Sequence, residues 1–349
     1  MTTDSITSPL SPTPIRLRSV TSQGLSSCDA EVAEREVHVL LELAQRAQFH
    51  LRKPVELTVC LTTDLAAEVD RFNQEHGIPS SEYQRQRPDG ISFGIVLTPP
   101  EDQAPASHTI VVDASLWVDE AGANIVHRTF GLAYLIGHLL NRHDCERPGP
   151  QPSPERGRHA RTVHWCSHTL QCAWSDSILA IDLCNSCLRD SDGNPVQLSD
   201  FLAADSLAVA SELLDQMCVF ATFDVNAYRV FGIDLDDLYP TAIDLAFGLL
   251  RTSVVLIVLS ASDRRIDPIL GALHGLNGYA EFLEPVWPAI VDGCANEDAS
   301  ARATAFELAL TELLRRMGLR IEDLEGDDIY IHVDAPVTCS WVERPEVQR

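Results

Sequence analysis

The chain has 349 residues, 45% of them hydrophobic, which is enough for a sizeable core and, at about 100–200 residues per domain, for two domains. Acidic residues outnumber basic ones 51 to 26, a net charge of −25, and that excess repels phosphate backbones and speaks against direct nucleic-acid binding. The ten cysteines come without a secretory leader pattern, so reduced thiols in a cytoplasmic protein are expected rather than a disulfide scaffold.

Residues 1–28 are rich in Ser, Thr and Pro and read as a disordered tail. Apolar residues at helical spacing, among them Val37, Leu40, Leu41 and Ala44, predict an amphipathic helix over 30–51 that Pro54 ends. Val55 to Leu61 alternates apolar and polar residues as a half-buried strand does, and a short helix over 64–75 follows. Further strands are predicted over 90–97 and 109–113, and a strongly apolar helix over 123–141.

The stretch from Cys145 to Arg161 is rich in Pro, Gly and Arg and predicts an exposed loop inserted at about 145–165. Helices are expected over 169–187, 198–219 and 299–317, and a strand over 329–333. The segment 241–261 is apolar enough to raise the question of a membrane span. Asp244 and Arg251 interrupt it, and a buried charge costs about 2.5–3.5 kcal/mol on insertion scales, so a core helix and no membrane are expected.

Chemistry is suggested mainly by Ala133-Tyr134-Leu135-Ile136-Gly137-His138-Leu139-Leu140. A zinc peptidase helix of the form His-Glu-x-x-His puts two histidines on one face and a glutamate beside them to take a proton from the metal-bound water. Here Tyr134 stands at the first His position and Leu135 at the Glu position, leaving His138. The string resembles the ImmA/IrrE family of zincin-like metallopeptidases, in which a strand, here Ile110 to Asp113, precedes a helix of the form Ala-His-Glu-Leu-Gly-His-Leu-Leu. Ala133, Gly137, His138, Leu139 and Leu140 match that form. A zincin of the YbeY type fits less well, because Asp144 stands where its last His would be.

The resemblance implies a third metal ligand on a downstream helix. Asp205-Ser206-Leu207-Ala208-Val209-Ala210-Ser211-Glu212-Leu213-Leu214 is similar in pattern and places Asp205 at the ligand position, with Asp176 as a rival. His138 and Asp205 are therefore the candidate metal residues, with Tyr134 or His143 able to join them, and no catalytic residue is assigned. A second cluster is Cys166, Cys172, Cys184 and Cys187 beside His164 and His168. It reads as buried thiols or, alternatively, as a closed structural zinc site.

These observations predict an α+β protein. A zincin-like domain over 29–220, built of a helix, a short mixed sheet and an active-site-type helix, is followed by a mostly α-helical domain over 221–349. The expected function is that of a non-catalytic, regulatory pseudo-peptidase that binds a protein partner, with no cofactor or a zinc ion. A divergent zinc hydrolase using His138 and Asp205, and a scaffold with zinc on the cysteines, are the alternatives.

Overall fold

Strand β2 (Val55–Thr62) is buried along nearly its whole length, as expected of Val-Glu-Leu-Thr-Val-Cys-Leu-Thr at the middle of a sheet. A computed structural model describes residues 15–46, 55–77, 94–99, 107–117, 124–144, 157–188, 198–232, 235–262, 267–325 and 328–335. In it β2 lies between β1 (Ile15–Ser22) and β4 (Ser107–Asp113), parallel to both, and β3 (Gly94–Leu97) pairs antiparallel with β4 at the far edge. The sheet is thus four-stranded and mixed, in the order β1-β2-β4-β3.

The chain groups into two compact units, Met1–Glu146 with Leu179–Val196, and Arg147–Ile178 with Gln197–Arg349. The boundary expected from sequence, residue 220, falls within the second of these units. Within the stretch 1–28, read from sequence as a tail, Ile15–Ser22 forms strand β1. Only Ile15 on that strand is buried, so the alternation Ile-Arg-Leu-Arg that marks it is weakly amphipathic, as an edge strand's can be.

In the first unit, helix α1 (Ser27–Arg46) links β1 to β2 and α2 (Leu65–His76) follows β2. Asp64 caps α2, its carboxylate accepting the Ala67 N–H at 2.9 Å, and Gly77 ends it at φ 66°, where an L side chain would be strained. Alternation along the strands divides the core between two faces. Cys60, Leu97 and Val111 meet Val69 and Phe72 of α2. On the opposite face, Leu57, Val59, Leu61, Ile110 and Val112 are fully buried. Helix α3 (Asn124–Asp144) lies on that side, reached from β4 through a 3-10 turn at Ala114–Trp117. An ion pair joins α3 to α1: Arg128 donates to Glu36 through Nε at 3.0 Å and Nη2 at 2.6 Å.

Helix α4 (Arg158–Cys187) is longer than the helix expected over 169–187, and its first residues take up part of the expected loop. Residues 145–156 of that loop lie outside the described residues, as do 47–54 and 90–93. The rest of the second unit is mostly helical, as the α+β class requires: α5 (Leu198–Val219), a π-helical turn (Phe220–Asp224), α6 (Val225–Phe231), α7 (Leu235–Ser262), α8 (Asp267–Leu273), a second π turn (Tyr279–Leu283), α9 (Trp287–Ala295) and α10 (Ala299–Arg316). Strand β5 (Leu319–Asp323), which the sequence reading passed over, pairs antiparallel with β6 (Ile329–Val333).

Among the described residues, two stretches are long and apolar enough to cross a membrane by length and composition, Leu202–Phe231 and Leu238–Ala261. The second has 67% of its apolar window buried, as a core helix would.

Two polar anchors hold this unit's helix ends. The buried Arg302 guanidinium lies 3.6 Å from the centre of the Trp174 ring and donates to the Gly293 carbonyl at 3.3 Å and the Asn296 carbonyl at 2.5 Å, capping the end of α9. At the head of α4, Asp323 accepts the His159 N–H at 2.6 Å and the Ala160 N–H at 2.9 Å. These are the donors that a helix N-terminus leaves unpaired. Gly157 makes the approach possible, because a Cβ there would sit 2.2 Å from the Asp323 carboxyl carbon.

Candidate functional site

Helix α3 carries the peptidase-like string, and its burial pattern decides what the string can do. Leu132, Ala133, Ile136, Leu139 and Leu140 are all but fully buried and form the stripe that packs into the unit. Tyr134 and His138, four residues apart, share a face that is half-exposed. The Tyr134 ring lies 6.2 Å from that of Phe130, tilted by 40°.

Leu135 is only 6% exposed. It packs against edge strand β3, its Cδ1 3.0 Å from where a Cβ on Gly94 would stand. The same imagined Cβ would meet the Val111 carbonyl oxygen at 2.1 Å, so glycine is what allows β3 to run this close to β4. Position 135 is therefore apolar by location as well as by residue type. From Asn124 to His143 the helix contains neither Asp nor Glu; its one acid is the last residue, Asp144, whose side chain lies outside the described residues.

The two candidate metal residues fall in different units, His138 on α3 in the first and Asp205 on α5 in the second. Asp205 is exposed, and its rival Asp176 is buried on α4 in the second unit. The side chain of His143 lies outside the described residues. Among the described residues, no group of three or more His, Cys, Asp or Glu side chains is placed to share one ion. Among the described side chains of α3, His138 and Tyr134 are two possible donors, where a catalytic zinc takes three protein ligands.

The four cysteines of the second cluster ride on one helix, α4. A helix lays its residues along a line at about 1.5 Å apiece, so they are strung out rather than gathered as on hairpin knuckles. Cys172 Sγ lies 3.8 Å from His168 Nε2, one turn away on the same helix. Burial pushes the Cys166 thiol up to about 12 and the Cys184 thiol well above its ordinary range, so both stay protonated. Cys187 donates to the Cys184 carbonyl at 3.6 Å.

Other polar groupings were not evident from sequence. His164 Nδ1 lies 3.2 Å from Glu307, with Ser167 one turn further along α4. The Ser167 hydroxyl lies within donating distance of the His164 carbonyl, at 3.1 Å, and of Glu307 Oε1, at 3.5 Å. In the first unit, the Glu68 carboxylate lies against the sheet, accepting from Gln23 Nε2 at 2.9 Å and Arg71 Nε at 3.1 Å and from the Cys60 thiol at 3.6 Å. Hydrogen bonds from Arg71 hold Glu68 below its ordinary value against the opposing effect of burial, and burial first of all raises Cys60. An anionic Glu68 beside a protonated, buried thiol is a structural pairing; no nucleophile is generated. A faint sequence signal for it exists, an acid between the core residues Leu65 and Val69 with Arg71 three positions on.

Compared with protein-family models, curated proteins and solved structures, the chain matches none.

Proposed function

We propose that this chain is a zincin-like pseudo-peptidase, of the kind the ImmA/IrrE resemblance implies, that acts by binding a protein partner and not by hydrolysis. The observation that carries the reading is the burial of Leu135 against β3. A proton-transferring group at that position would have to leave the core to reach a substrate on the Tyr134–His138 face. The order of helix, mixed sheet and apolar helix in the first unit supports the zincin-like part of the proposal. The acidic charge supports a protein rather than a nucleic-acid partner, in a cytoplasmic setting.

The purified full chain, assayed with labelled casein and added zinc, is expected to release no peptide and to hold much less than one zinc per chain. Restoring the motif with Tyr134→His and Leu135→Glu is expected to cost about 2–4 kcal/mol in urea denaturation, because a carboxyl group enters an apolar site, and to confer no hydrolysis. Stoichiometric zinc in the wild type that disappears in His138→Ala would overturn the proposal in favour of a metallohydrolase. Zinc that survives in His138→Ala but is lost in Cys184→Ser would turn it instead toward a cysteine scaffold.

A further inference from the structure

Helix α5, its π turn and α6 form an apolar run that is thinly covered. Only 33% of the apolar window in Leu202–Phe231 is buried, half the share found on α7. Val219 is 45% exposed where α5 ends. It borders a groove of about 790 Å³ between α5 and α7, within the second unit. Phe220 and Leu245, both buried, supply its apolar floor, and Glu212, Asp215 and Asp224 its carboxylates. Among the described residues, no lysine, arginine or histidine lines it.

The lining on α5 and the first residue of the π turn runs from position 208 to position 220, roughly 18 Å at 1.5 Å per residue. Widening of the helix at 220–224, where the Val225 N–H reaches back to the Phe220 carbonyl, lets Phe220 and Asp224 both face the groove. Such π turns recur at functional sites.

Three kinds of occupant could cover this surface, and charge separates them. A lipid surface would bring the three carboxylates toward hydrocarbon or anionic headgroups, both unfavourable. A second copy packed face to face would set the same carboxylates against one another. A helix with an apolar stripe flanked by Arg or Lys answers both features: its stripe lies on Phe220, Leu245 and Val219, and its flanks meet Glu212, Asp215 and Asp224. We infer that the α5–α7 groove docks a basic amphipathic helix of a protein partner. This gives the protein-binding reading a partner chemistry, yet it rests on the second unit's surface alone and would survive failure of the pseudo-peptidase reading.

The test uses the full chain and a fluorescein-labelled Leu/Arg amphipathic peptide of about 14 residues, roughly 21 Å of helix, followed by fluorescence anisotropy. Replacing Glu212, Asp215 and Asp224 together by Lys is expected to weaken binding at least about tenfold. Replacing the exposed Glu31, Glu284 and Glu297 by Lys makes the same change in net charge and is expected to leave binding within about twofold. Val219→Asp, at an exposed position that the fold tolerates, is expected to weaken it about fivefold, with circular dichroism melts recording that each variant is folded. Equal losses in both triple variants would reduce the effect to bulk acidity and overturn the inference. So would binding unmoved by Val219→Asp and the groove triple, or cosedimentation of the wild type with phosphatidylcholine or phosphatidylserine vesicles.

Discussion

At the scale of single residues, the same side-chain type means different things according to where it sits. Tyr134, Leu135 and His138 were legible in sequence as a damaged peptidase string, because the string is local and its spacing helical. That Leu135 faces the sheet could not be read there, since it depends on how close Gly94 brings β3. Glu68 was illegible for the opposite reason: an acid on an amphipathic helix reads as solvated, but 8% side-chain exposure places it in the interior. Its depressed pKa makes a signed prediction. A carboxyl group held below its unfolded value of 4.5 contributes stability above that pH and loses it as the pH falls through the folded value. Glu68→Gln is therefore expected to lower stability by about 1–2 kcal/mol at pH 7, a figure reduced for the exposed Arg71. In urea titrations at several pH values, the gap from wild type should begin to close below pH 4.5; a gap that persisted at acid pH would mean the carboxylate's charge is not what matters.

At the scale of elements, helices with one strongly apolar stripe and the inner strands were legible nearly to their ends. Expected helices over 198–219 and 299–317 became Leu198–Val219 and Ala299–Arg316. Elements that depend on a distant partner were not. Strand β1 sits on an edge with one buried residue, and β5 exists as a strand because β6 pairs with it. The head of α4 depends on a residue 163–164 positions away, since Asp323 supplies the cap and Gly157, just before the helix, has no side chain to do so. Asp323→Ala is expected to destabilise the second unit by about 1–2 kcal/mol, the usual worth of an N-cap, with Asp323→Asn losing less because one acceptor oxygen remains. Hydrogen exchange at the His159 and Ala160 amides reads the effect directly: faster exchange in the alanine variant is expected, and unchanged exchange would show that the head of the helix does not need the cap.

At the scale of the whole molecule, the order of predicted helices and strands announced an α+β protein with a helical carboxy-terminal region, and the described residues form one. One cut between the units, after Glu146, falls in the Pro-, Gly- and Arg-rich stretch, whereas the cut after Ile178 was not legible, because it passes through α4, where nothing in the composition changes. A net charge of −25 is itself a whole-molecule property, since like charges repel more strongly in the folded state than in the expanded chain. Salt screens that repulsion over about 10 Å at 0.1 M. The melting temperature is therefore expected to rise by a few degrees between low salt and about 0.5 M sodium chloride. A flat or falling melting curve would mean that ion pairs such as Arg128–Glu36 outweigh the general repulsion. The Asp323 cap also bears on how the protein is made. A ribosome delivers the opening turn of α4 long before it delivers the carboxylate that secures that turn, so the N–H groups of His159 and Ala160 must rely on water while some 160 further residues are synthesised. The second unit is in this sense closed from its far end, and a nascent chain arrested before Asp323 would leave the start of its longest helix fraying within reach of proteases and chaperones.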